Sequence, residues 1–157
     1  MKLALSAALV GLAVLTGGCG SGASPQTPSA CLSGPGSYLV ALRDAPGEVR
    51  LDGSVAISSC LVDEQSAGEI ADVGSATVAA ATRLNSQARS DPAGPAATEL
   101  GYLVGALEHG ADETAGIHQD LLRRIESAAR FSPGGEPPTP EFRKGFAQGL
   151  AAGRANG

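Results

Sequence analysis

Tryptophan is absent from this 157-residue chain, and two Tyr and three Phe are its only aromatic residues. A core without large rings must be assembled from Leu, Ile, Val and Ala, which bury less area per residue. Such a fold is expected to depend on long helices and a covalent staple. Positive charge is scarce too: 11 Lys+Arg stand against 16 Asp+Glu, a net charge of −5. That balance argues against the basic face that displaces counterions from phosphates, so no nucleic-acid partner is expected. The length suits one domain and leaves no room for two.

Catalytic signatures are missing as well. There is no HExxH, no CxxC and no complete phosphate-cradling loop, since Gly34-Pro35-Gly36 lacks a third glycine. Lysine occurs only at positions 2 and 144, which removes any Ser-x-x-Lys pair. No catalytic residue, cofactor or metal site is assigned on these grounds. Two histidines remain. His118 falls on the apolar side of a helical stripe, with Thr114 and Leu122 one turn either side. An inward imidazole there is a candidate ligand or base, or a buried histidine satisfied by a hydroxyl or backbone group. His109 points the other way, with Asp112 and Glu113 three and four residues on. Without third and fourth ligands that trio reads as a solvated charged face.

Met1-Lys2 followed by the apolar run Leu3–Leu15 has the form of a secretory leader. The run is shorter than the roughly 20 residues that a spanning helix needs. Its sequel, Leu15-Thr16-Gly17-Gly18-Cys19, resembles the lipobox of bacterial lipoproteins, with Thr16 where Leu is commonest. The resemblance implies a diacylglycerol on the Cys19 thiol, cleavage after Gly18, and acylation (a palmitate-type chain) of the new amino group. Two or three acyl chains anchor stably at about 0.8 kcal/mol per buried CH₂. Processing removes Lys2 and leaves the chain still more acidic, so the body gains nothing from anionic headgroups. Beyond this segment the chain resembles uncharacterised exported lipoproteins of Ala/Gly-rich bacteria, which implies no activity. Residues 1–18 are thus expected to be the signal peptide, 19–30 the lipidated cysteine and a tether, and 31–157 one helical domain. The stretch Gly20–Ala30 would reach about 18 Å as a flexible chain.

With Cys19 lipidated, Cys31 and Cys60 remain, and an even number in an exported chain predicts a disulfide. Between them, Ser37–Arg43, Glu48–Leu51 and Val55–Ile57 are expected as short strands of a small hairpin or meander. Asp44-Ala45-Pro46-Gly47 and Asp52-Gly53 supply its turns. From about Ser59 to Arg89 the apolar period becomes helical, through Ile70, Val73, Thr77, Ala81, Leu84 and Ala88. A second stripe runs from Leu100 to Ala128, opened by Pro95. A continuous helix over 95–131 would be about 55 Å long, so a bend is expected near His109-Gly110 or Gly116. Thr139-Pro140-Glu141 opens a third helix, with Phe142, Gly145, Phe146, Gly149 and Gly153 on one face. Glycines there require another backbone close by, for which Gly101 and Gly105, or Ser75 and Ala79, are candidates. Arg143, Lys144 and Arg154 argue against a membrane-type helix pair.

The expected fold is mainly α: two long antiparallel helices, a shorter C-terminal helix and a small N-terminal β element. The expected role is a lipid-anchored protein on the extracytoplasmic face of the cell membrane. Its non-enzymatic helical domain would bind an envelope protein or a small ligand. The alternatives are a small-ligand carrier, or a hydrolase or metal-dependent enzyme using His118.

Overall fold

The computed structural model describes residues 26–157. The expected leader, Cys19 and the first part of the tether lie outside the described residues. Among the described residues, five helices make up the body: α1 (Pro35–Ala41), α2 (Ala67–Ser90), α3 (Ala96–Asp112), α4 (Gln119–Arg130) and α5 (Pro140–Asn156). Short 3₁₀ turns cover Ser29–Leu32, Leu42–Asp44 and Ser58–Cys60. The mainly helical class therefore holds, and two of its details differ from expectation.

The first difference is the β element. Residues 37–43, expected as a strand, form most of α1 and its 3₁₀ extension. Tyr38, Ala41 and Leu42 are buried while Val40 is 60% exposed. A strand would have put Tyr38, Val40 and Leu42 on one face; spacing of three and four puts Tyr38, Ala41 and Leu42 there instead. Pro35 at the first helical position, after Gly34 at φ 81°, starts the helix. What survives of the meander is one antiparallel bridge between Leu51 and Val55. It closes over Asp52, Gly53 and Ser54, with Asp52 and Gly53 at positive φ and the Ser54 amide donating to the Leu51 carbonyl at 3.1 Å.

The second difference is the long helix, which is two helices. α3 stops at Asp112 and α4 starts at Gln119. Ala115 at φ 24° and Gly116 at φ 86° turn the chain between them. The Ala111 carbonyl takes the Thr114 amide at 3.2 Å, and the Thr114 hydroxyl lies 3.1 Å from the same oxygen.

α2 is entered through a capping box: the Ser66 hydroxyl accepts from the Glu69 amide, and the Glu69 carboxylate accepts from the Ser66 amide. α2 and α4 run in the same direction. Gly74 lies against Leu121, and the Asn85 amide donates to the Phe131 carbonyl at 2.7 Å. α3 and α5 also run together, Gly101 facing Phe146 and Leu150, and Gly105 facing Leu150 and Arg154. With short connections reversing the chain at each step, α2 to α5 form an up-down-up-down arrangement.

The α3–α5 pair is the closest contact in the body. A Cβ at Gly149 or Gly153 would collide with the carbonyl oxygens of Thr98 or Tyr102. The glycine face of α5 therefore seats on α3 through Gly101 and Gly105, the first of the two expected pairs of partners. Small residues let two helix backbones approach in this way. Phe142 and Phe146, with ring centroids 6.2 Å apart, cover its flank. Arg154 pairs with Glu108 at 2.6 Å on its rim.

Cys31 and Cys60 are bonded, with Cα atoms 5.5 Å apart. Both are fully buried. The Tyr38 hydroxyl donates to the Cys31 carbonyl at 2.9 Å beside the bridge, and burial pushes that phenol well above its ordinary range. Packing begins before Cys31: Thr27 and Ala30, expected within the tether, are 8% and 4% exposed.

Candidate functional site

His118 and Thr114, the polar pair singled out by sequence, come together in the α3–α4 junction. Thr114 Oγ1 lies 2.7 Å from His118 Nδ1. His118 Nε2 lies 2.7 Å from Gln65 Oε1. The Gln65 amide group donates onward to the Thr27 hydroxyl at 2.7 Å and to the Cys60 carbonyl at 3.0 Å. Because the Cys60 carbonyl only accepts, the Gln65 nitrogen must face it, which turns Oε1 toward the imidazole. Nε2 then carries the proton, and Nδ1 receives the Thr114 hydroxyl proton. Burial holds the imidazole below its ordinary pKa, against the weaker pull of Asp63.

A hydroxyl, an imidazole and a carbonyl acceptor in series have the order of a nucleophilic relay. The order is not sufficient. His118 is 0% exposed and Thr114 is 2% exposed, so no carbonyl or phosphoryl group can approach the Thr114 oxygen. The relay instead joins four segments: the stretch at Thr27, the disulfide at Cys60, the loop at Gln65 and the α3–α4 junction. Gln65 carries no sequence signal of this role, because it precedes the helix and belongs to no periodic pattern.

His109 sits partly buried in the last turn of α3, with Asp112 and Glu113 exposed beside it. Among the described residues, no group of three His, Cys, Asp or Glu side chains is placed to hold a metal ion.

The polar concavity lies elsewhere, at the end of the molecule where α2 turns into α3. A groove of about 680 Å³ is bounded by α1, the last turns of α2 and the first turn of α3. Leu39, Val40 and Leu84 give it apolar walls; Arg43, Arg83, Asp91 and Glu99 supply its charges. Glu99 is 8% exposed. Burial pushes its carboxyl above the usual carboxylate range, although the Arg43 guanidinium pulls the other way. Among the described residues, Glu99 makes no side-chain hydrogen bond or ion pair, and neither does Arg43 or Arg83. Sequence reasoning missed this site. Glu99 looks like an ordinary first-turn acid favoured by the helix dipole, and its burial comes from tertiary packing that its place in the helix does not reveal.

A second cavity, of about 380 Å³, lies between the ends of α4 and α5. Its lining is apolar, through Ala129, Pro138, Phe142 and Phe146. Arg89, at its edge, stacks over Phe142 at 5.7 Å and donates to the carbonyls of Arg130 and Glu136. No helix among the described residues is long and apolar enough to cross a membrane. No protein family, curated protein or solved structure matches this chain.

Proposed function

We propose that the chain is a lipid-anchored protein of the extracytoplasmic face whose helical domain binds a ligand or partner and does not catalyse. The observation that carries the binding reading is the contrast between two polar sites. The relay at His118 is sealed, whereas the groove at Glu99 is open and lined by three charged groups without contact partners. Unpaired charge facing a concavity is an arrangement that a ligand completes. An enzyme acting through His118 would need an approach to Nε2 or to the Thr114 oxygen, and both are enclosed. The anchoring reading rests on the Leu15–Cys19 segment and on a disulfide of the kind that oxidising compartments sustain.

Fractionation of cells producing the native chain and the Cys19→Ser variant tests the anchor. The native chain is expected with the membranes, carrying a mass increase on a peptide that begins at Cys19. The variant is expected to lose that mass and leave the membrane fraction. Equal membrane partitioning of both, or an uncut leader on the native chain, would overturn the reading.

A further inference from the structure

We infer that the groove between α1 and the α2–α3 turn binds a small zwitterion of the amino-acid or short-peptide type. Its ammonium group would pair with Glu99, and its carboxylate with Arg43 and Arg83. The inference deepens the binding reading above and does not depend on lipidation.

Two guanidinium groups and two carboxylates line the groove, so a plain anion meets Glu99 and Asp91 while a plain cation meets Arg43 and Arg83. A molecule with both signs satisfies both sets. Depth sets Glu99 apart from the other charges: Arg43, Arg83 and Asp91 are exposed, and Glu99 is buried. An ammonium entering first would reach the enclosed carboxylate, leaving the trailing carboxylate among the arginines at the mouth. Arginine suits that place because its planar fork can take a carboxylate through two parallel hydrogen bonds.

Glu99 supplies the independent reason to expect a ligand. Little of Glu99 is exposed, and its carboxylate oxygens open onto the groove; a carboxylate so placed is favoured when a positive group or hydrogen-bond donors accompany it. Arg43 acts on it through space, without a hydrogen bond. Among the described residues the structure gives the Glu99 oxygens no donor, and the groove is the side from which one can arrive. The apolar walls at Leu39, Val40 and Leu84 leave space for a side chain without selecting a polar one. The volume lies within the range of small-molecule sites and exceeds what a single amino acid needs, which admits a dipeptide.

The test is a titration of the ¹⁵N-labelled full chain, in detergent, with L-alanyl-L-alanine. Its N-acetylated and C-amidated forms serve as probes with one charge each. The expected result is saturable movement of the amide signals of Arg43, Arg83, Gln87 and Glu99, with Kd on the order of 0.1–1 mM. Each singly charged form is expected to bind at least about tenfold more weakly. Glu99→Gln should weaken the dipeptide by about tenfold while leaving the N-acetylated form bound at least as well as before. Arg83→Gln, a change at an exposed position, should weaken the dipeptide and the N-acetylated form together. Absence of movement, equal binding of all three probes, or indifference to Glu99→Gln in a folded variant would each overturn the inference. Those failures leave the Cys19 fractionation result standing, so the two readings fail separately.

Discussion

Gly149 of α5 and Thr98 of α3 lie backbone against backbone. A Cβ on the glycine would overlap the Thr98 carbonyl oxygen and stand 2.7 Å from the Tyr102 amide nitrogen. Neither atom can yield without moving a helix. Gly149→Ala is therefore expected to force α3 and α5 apart and to cost about 3 kcal/mol or more in urea unfolding. Gly68→Ala is the matched control. It lies in the first turn of α2 with nothing within 4 Å of its Cβ position, and should stabilise by about 0.4–1 kcal/mol. Equal effects at the two sites would contradict the close α3–α5 packing.

Joint replacement of Cys31 and Cys60 by serine opens a loop of 29 residues in sequence separation. The chain-entropy model puts the loss at about 3–4 kcal/mol. Chemical unfolding of the double variant, and of the native chain kept reduced, should give matching losses. An unchanged midpoint in both would show that the bridge constrains nothing that matters to the unfolded chain.

His118 makes stability fall on the acid side of neutrality. Its folded pKa lies below the ordinary 6.5, so the unfolded chain binds the proton more readily. Its contribution is fully present above about pH 6.5 and is lost as pH falls from there toward the folded value. His118→Gln should lower stability at pH 7.5 by about 2 kcal/mol, through loss of buried hydrogen bonds. The variant should also flatten the pH dependence in that window. A slope unchanged in the variant would assign the acid sensitivity to another group.

Glu99 has the opposite sign. Its folded pKa lies above the ordinary 4.5, so ionisation disfavours the folded state once the pH exceeds that of the unfolded group. Glu99→Gln is expected to raise the melting temperature at pH 7 in the absence of ligand. The gain should shrink as the pH falls through the folded value and vanish below both. A variant less stable than the native chain at pH 7 would mean that Glu99 has a donor that the groove geometry does not provide.

The helical class, the disulfide and the α5 glycine face were all legible in the sequence, because each rests on local spacing or on simple counting. The inward direction of His118 was legible for the same reason, with Thr114 one turn away on the same face. Three features were not. Ser37–Arg43 carries Tyr, Leu and Val at both period 2 and period 3.6, and burial of Ala41 rather than Val40 decided between them. The start of α2 at Ala67 is marked by Ser66 and Glu69 three residues on, yet the apolar period alone placed the expected boundary near Ser59. Gln65 and Glu99 depend on which distant segments close over them, and a one-dimensional pattern holds no record of that.

The early ordering at Thr27 has a mechanical corollary. Tension on the polypeptide ahead of Thr27 would first meet the Gln65 carboxamide and then the covalent link from Cys31 to Cys60. The load would pass through sulfur into the stretch just before α2, bypassing the hairpin turn and α1 altogether.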